Sequence, residues 1–200
     1  MPAADGYAGH WVGENPSIGM AVFCRGDWNI RQIWQPKKSD PRWIIPFEVE
    51  GSSTERFTLI AVWACQVKGD ARASYVGQIH RSLREHPKWF NSGPTVMAGD
   101  FNSNAIWDKK KGKENHSSMV AALEAHGLIS AYHAFHQQEH GCETRHTFFL
   151  YGHRDKPYHL DYVFVPATWR EGLSVAVGEH CDWVSSDHCP VTIDVMPPGR

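Results

Sequence analysis

Thr95-Val96-Met97-Ala98-Gly99-Asp100-Phe101-Asn102-Ser103-Asn104 is the stretch from which the fold of this chain can be read. Its apolar start, Thr95 to Ala98, predicts a short buried strand that stops at Gly99. In an extended chain, side chains two residues apart share a face. Asp100 and Asn102 therefore face one pocket at the strand's carboxyl end, while Phe101 turns into the core. A carboxylate beside an amide suits a hard cation or a phosphate. The same residues also make an ordinary Asx turn. Taken alone, the stretch leaves both readings open.

Working outward, the strand finds neighbours of its own kind. Phe57 to Ala64 is almost continuously apolar and predicts a strand buried on both faces. Between the two, Tyr75, Val76, Ile79 and Leu83 recur at helical spacing until Pro87, which predicts a helix over about 71–86. A second helix runs through Met119, Val120 and Leu123, with Asn115 or Ser117 as its cap and Gly127 as its stop. Further strands are predicted at 19–23, 28–34, 43–49, 147–151, 160–165, 173–177 and 191–195, with Pro46 marking an edge or a bulge. The sum is an α/β chain: two packed sheets with helices outside.

The composition fits one domain spanning residues 1–200, of which 1–18 read as a loop-like N-terminus rich in Gly, Pro and polar groups. Lys plus Arg number 20 against 22 Asp plus Glu, a net charge of −2, so bulk charge does not hold this chain to nucleic acid. Any phosphate polymer must be held by local patches or a metal. Five scattered cysteines without a CxxC pair suit reduced thiols in the cytoplasm. The first residues lack a basic and an apolar signal region, and no apolar run nears the ~20 residues that span a bilayer, so no membrane partner is expected.

Two later motifs share the chemistry of the first. His159-Leu160-Asp161-Tyr162-Val163-Phe164-Val165 sets a carboxylate at the start of a strand. Ser185-Ser186-Asp187-His188-Cys189-Pro190-Val191 sets Asp and His side by side before the last strand. Each alone is commonplace. In this order, Gly-Asp-Phe-Asn, Leu-Asp-Tyr and Ser-Asp-His-Cys-Pro-Val resemble the endonuclease/exonuclease/phosphatase superfamily over most of residues 19–196. Ser130-Ala131-Tyr132-His133, with Gly141, Glu143 and Thr147, resembles a bacterial subgroup of it.

The resemblance implies a DNase I-like two-sheet α/β sandwich and a phosphodiesterase using Mg²⁺ or Mn²⁺. It makes His188 a general base or a partner of the phosphate, with Asp161 holding its ring. Asp187 becomes a metal ligand, Asp100 orients or deprotonates the attacking water, and Asn102 contacts a phosphoryl oxygen or the metal. Against the family pattern the chain looks N-terminally short by roughly two strands and a helix. The Gln-Glu pair that supplies the principal metal ligand is not found. Glu14, Glu48 and Glu50 are the available substitutes, and Trp63 stands where relatives carry a leaving-group residue. An uncovered sheet edge would then favour a homodimer.

Lys109, Lys110, Lys111 and Lys113 form a basic loop after the first motif, joined by Arg145, Arg154 and Lys156. Trp107 and Phe148 can stack on bases or serve the core. These features favour nucleic acid, DNA before RNA, as the partner. The expected function is a metal-dependent DNA nuclease. The alternatives are a phosphatase on the same scaffold and a nucleic-acid-binding relative that has lost catalysis.

Overall fold

The computed structural model describes residues 6–36, 40–51, 55–69, 74–109, 114–182 and 185–196. In chain order the strands are β1 (Tyr7–Asn15), β2 (Ile18–Arg25), β3 (Asn29–Gln32), β4 (Ile44–Glu50), β5 (Arg56–Trp63), β6 (Thr95–Asp100), β7 (Leu128–Ser130), β8 (Phe148–Phe149), β9 (Pro157–Tyr158), β10 (Asp161–Pro166), β11 (Leu173–Val177) and β12 (Val191–Val195). The helices are α1 (Val76–Glu85), α2 (Lys88–Asn91), α3 (His116–Ala125) and α4 (Ala131–His136). A six-stranded sheet in the order β3-β4-β5-β6-β10-β7 forms the centre, flanked by the hairpins β1–β2, β11–β12 and β8–β9.

Period-two patterning divides the central sheet into two faces. Ile44, Ile60, Val62, Met97, Tyr162 and Phe164 point to one side and pack on Ile79, Leu83, Phe90, Met119 and Leu123 of the first three helices. The intervening residues point the other way. Val96 and Val165 meet Leu173 and Val175 of β11, with Ile193 of β12 packed alongside. Ile45, Phe47 and Ala61 meet Val12, Met20 and Val22 of the first hairpin. The hairpins thus form the second layer of a sandwich, and the first three helices cover the opposite face. Such alternation fixes the register, because a slip of one residue would send every apolar side chain to the wrong layer.

The structure revises three expectations. Residues 7–15, read as loop, form β1, which pairs antiparallel with β2 from Tyr7–Arg25 to Asn15–Ile18. Its Gly and polar residues hid it, since it sets one apolar side chain, Val12, against the sheet's buried residues, beside the His10 ring on Phe47. Pro46 sits on an interior strand, between β3 and β5. Pro46 turns its carbonyl to the β3 side, where it accepts from Ile33 N at 3.2 Å just past the end of β3 at Gln32, so its missing N–H falls where that ladder ends. β7 and α4 were not anticipated; six residues with two histidines carry little helical periodicity. The first helix starts at Val76, while 71–73 lie outside the described residues.

The expected cap and stop of the second long helix are both present. Asn115 caps α3 through a capping box with Ser118, and Gly127 stops it at φ 76°. All five cysteines are free thiols. Among the described residues no helix is long and apolar enough to cross a membrane.

Backbone geometry is tight at Gly99. It has φ +137°, and a Cβ there would stand 2.0 Å from the Val62 carbonyl oxygen on β5. Neither the dihedral nor the space admits a side chain. Gly99→Ala should cost about 3 kcal/mol or more, read as a fall in the urea midpoint. A midpoint equal to wild type would contradict this account of the strand's end.

Candidate active site

β6 and β10 run antiparallel, with Asp100 directly opposite Asp161. Both carboxylates share the parity of Val96, Ala98, Val163 and Val165, so both lie on the hairpin side of the sheet. Phe101 goes the other way: it is fully buried, with its ring 5.5 Å from Tyr162 and 5.4 Å from Phe164. Beyond it Asn102 adopts a left-handed backbone, φ 46°. That turn brings its amide back to Asp100. Asn102 N donates to Asp100 Oδ1 at 2.8 Å, and Asn102 Nδ2 donates to Asp100 Oδ2 at 2.5 Å. The Asx turn and the shared pocket, alternatives in the sequence, are both present.

His188 arrives from the second layer. Its Nδ1 lies 2.9 Å from Asp161 Oδ2, which leaves Nε2 for a substrate. Thr147, fully buried, locks this pair in place. Its Oγ1 accepts from the Leu160 and Asp161 amides at 2.9 and 3.0 Å, and its carbonyl accepts from Cys189 N at 2.8 Å. Phe148 bridges to His188 on the backbone, and the two rings stand 4.7 Å apart. Thr147 was visible in the sequence only as part of the subgroup resemblance.

The electrostatics are asymmetric. Burial first, and the neighbouring Asp161 second, push the Asp100 carboxyl up to about 7. Burial opposes charge on His188, yet Asp161, Asp100 and Asp187 together hold the imidazolium above its ordinary range. Asp187 is exposed, and its carbonyl accepts from Phe149 N. Asp100, Asn102, Asp161 and Asp187 offer oxygen donors, the kind that Mg²⁺ and Mn²⁺ prefer. A buried carboxylate driven toward protonation is what a dication at this position would relieve, so the donor set fits such an ion. Among the described residues, however, no set of three ligand groups brings Asp187 and Asp100 within 4.8 Å of each other.

The glutamates considered as substitutes are otherwise engaged. Glu48 is held by Arg31 and Arg56, and those hydrogen bonds outweigh burial to lower its pKa. It pairs in register with Thr58, which is opposite Thr95, and so lies about 17 Å along the sheet from Asp100. Glu50, one turn of the pleat further, meets Arg56. Glu14 pairs with Arg42, beside Trp43, at the same sheet end as Asp100. Trp63 pairs with Asp100 on the sheet and packs on Trp43, 5.6 Å between rings.

A cavity of about 640 Å³ opens from Asn102 and runs over Asn104, Trp107, Lys109, Phe148 and Tyr158. Trp107 is half exposed and lies 5.2 Å from the Tyr158 ring. Lys109 is on the wall; Lys110, Lys111 and Lys113 lie outside the described residues. Arg145 is not part of that wall and pairs with Glu179.

Asp100 generates a measurable consequence. A carboxyl whose pKa is raised on folding favours the folded state at low pH and disfavours it as pH rises through about 7. In divalent-cation-free buffer at pH 8, Asp100→Asn should raise stability by about 1–2 kcal/mol, or about 3–6 °C in Tm. The gain should shrink at pH 5. A variant less stable than wild type at pH 8 would show that the carboxylate is not under this stress.

Comparison with family models and with curated proteins gives no match to the sequence. Solved structures do match. A 3′ phosphatase, NExo, from Neisseria bound to product DNA hairpin superposes with TM-score 0.64 at 18% identity, over 96% of this chain and 80% of that one. The AP endonuclease LMAP from Leishmania major gives 0.65 at 13% identity, over 94% and 70%. An endonuclease/exonuclease/phosphatase family protein from Leptotrichia buccalis gives 0.55 at 17% identity, over 96% and 73%. With its three motifs gathered at one end of this sandwich, the chain shares the DNase I-like fold of these structures.

Proposed function

We propose that the chain is a divalent-metal-dependent phosphodiesterase that cleaves the backbone of DNA. The observation that carries this reading is the His188–Asp161 pair standing beside Asp100 and Asn102 at one sheet end, at the mouth of an aromatic cavity. Asp161 accepts from His188 Nδ1 and keeps the ring cationic, so that Nε2–H donates to a phosphoryl oxygen. Asp100, with a pKa near neutrality, takes the proton of the attacking water. Asn102 holds Asp100 oriented through both of its oxygens. The water oxygen bonds to phosphorus as the bond to the sugar oxygen breaks, His188 meets the charge on the phosphoryl oxygens, and the departing alkoxide takes its proton from solvent. Mg²⁺ or Mn²⁺ held by Asp100, Asn102 and Asp187 would supply further charge neutralisation when bound.

Trp107, Tyr158 and Phe148 suit stacking of an unpaired base, and Lys109 suits the backbone beside it. The neighbouring structure named as a 3′ phosphatase with a DNA hairpin supports DNA as substrate and phosphomonoester release as a second reading.

Plasmid nicking and end-labelled oligonucleotide assays separate the possibilities. Cleavage should require Mg²⁺ or Mn²⁺ and stop in EDTA. His188→Ala should lower kcat on the order of 10²–10³-fold, and Asp161→Asn by a smaller factor. Phosphate release without strand cleavage would favour the phosphatase; no hydrolysis of either kind would leave a nucleic-acid-binding relative.

A homodimer belongs to the same proposal. The first hairpin exposes Tyr7, Trp11, Ile18 and Phe23, the last at 56%. That apolar surface suits a second copy of this chain. Light scattering at micromolar concentration should report a dimer that Phe23→Glu dissociates; a monodisperse wild-type monomer would exclude it.

A further inference from the structure

The cavity beside Asn102 holds a row of rings that begins at the His188 imidazole. The Phe148 ring stands 4.7 Å from His188, the Tyr158 ring 6.4 Å from Phe148, and the Trp107 ring 5.2 Å from Tyr158. We propose that Trp107 and Tyr158 form a base-binding subsite that makes unpaired DNA, with its bases intact, the preferred substrate. The role assigned to the subsite rests on the phosphodiesterase reading above and adds to it the strandedness of the substrate.

Trp107 leaves 49% of its surface exposed, yet the backbone beneath it is fixed on both sides. On one side stands Asn104, only 3% exposed. Its Oδ1 accepts from Ile106 N at 3.0 Å, and its carbonyl accepts from Trp107 N at 3.2 Å. Its Nδ2 donates in turn to the His159 carbonyl at 3.0 Å and to Glu143 Oε2 at 3.1 Å. On the other side Asp108 accepts from the His116 and Ser117 amides, at 2.9 and 2.8 Å, where α3 begins. Behind this wall His116 Nε2 lies 2.9 Å from His140 Nδ1, and His116 Nδ1 lies 3.2 Å from Ser103 Oγ. Tyr158 is held by its pairing with Phe148. A ring that is exposed but kept in one orientation loses little freedom on binding, which is why such rings serve as anchors.

The shape selects what can bind. Trp107 follows the motif loop and Tyr158 belongs to the β8–β9 hairpin, so the two walls of the cavity meet at these rings. Their planes are inclined by 41°, which leaves a broad aromatic face instead of a closed stack. Val76, Leu150 and Leu160 add apolar lining, and the volume of about 640 Å³ is that of a small-molecule site. Every nucleobase has a π-face that such a surface accepts, whatever the sequence. Within a duplex both faces of a base are covered by its neighbours, so a paired base must leave its stack before it reaches Trp107. An unpaired base meets no such requirement. Charge offers less. The chain carries a net charge of −2, and among the described residues Lys109 is the one Lys or Arg on the cavity wall. The rings therefore supply the larger share of the contact there.

The test uses the full-length protein and a short fluorescein-labelled oligonucleotide, with anisotropy read in EDTA and hydrolysis read in Mg²⁺. Three forms are compared: single strand, blunt duplex, and a single strand of abasic tetrahydrofuran residues of equal length. The ordinary single strand should bind about 10-fold or more tighter than the other two. Trp107→Ala should remove that difference, while Trp107→Phe keeps most of it. In Mg²⁺, Trp107→Ala should raise KM on single strand more than it lowers kcat. The abasic comparison is made on wild-type protein, so it decides the matter even where a variant misfolds. The subsite is overturned if duplex or abasic strand binds as tightly as ordinary single strand, absence of all binding included. It is overturned equally if folded Trp107→Ala keeps full affinity. Base-dependent binding without hydrolysis would remove the phosphodiesterase and leave the subsite; hydrolysis indifferent to the bases and to Trp107 would do the reverse.

Discussion

The pairing of β6 with β10 is the constraint on which the site depends, because it sets two carboxylates face to face. Asp100 and Asp161 cannot both be comfortable anions in a half-buried position. The chain separates them chemically. Asp161 is given a cationic partner in His188, while Asp100 is given only amide donors from Asn102. Asp100 is therefore drawn toward neutrality, and contrasting environments of this kind are found at acid–base sites. The register cannot relax to relieve the stress. Val96, Ala98, Val163 and Val165 on one face, and Met97, Tyr162 and Phe164 on the other, hold both strands in place.

The supports around this pair come from distant parts of the chain. Thr147 joins the start of β10 to the approach of β12 with one hydroxyl and one carbonyl. Gly99 lets β6 press its backbone against Val62 on β5, where no side chain fits. Tyr162 donates to the Ser103 carbonyl at 3.0 Å from the core side, so the loop is tied from below as well as along its length. These are short-range contacts between segments up to about sixty residues apart, which is why the cluster is rigid only in the folded state.

That distance also explains what could be read from the sequence. Asp100, Phe101 and Asn102 were legible because period two governs a strand's end whatever it packs on. Asp161 and His188 were legible because their motifs keep their order. β1 was not, since a strand of the outer layer with little buried apolar surface has weak alternation. Nor was the histidine cluster. His116, His133, His140, Glu143 and His159 are scattered over two helices and two loops, and only the fold stacks His133 on His140 at 3.5 Å. Thirteen histidines in the composition said that such a cluster was within reach, not where it lay. The basic loop was legible as charge, but only Lys109 has a described position, and Arg145 spends its charge on Glu179.

The motif loop is therefore read from both sides of one sheet end. Asp100 faces the hairpin layer, and Asn102 lines the cavity together with Ser103 and Asn104. Ser103 and Asn104 face the histidine cluster through His116 and Glu143. The left-handed turn at Asn102 makes this division, since it ends the strand's alternation and drops the following residues beneath it. A loop fastened at both faces has little freedom to adjust. The sequence Asp-Phe-Asn-Ser-Asn thus sends its side chains in three directions within five residues: Asp100 to the hairpin layer, Phe101 into the core, and Ser103 and Asn104 to the buried His116 and Glu143.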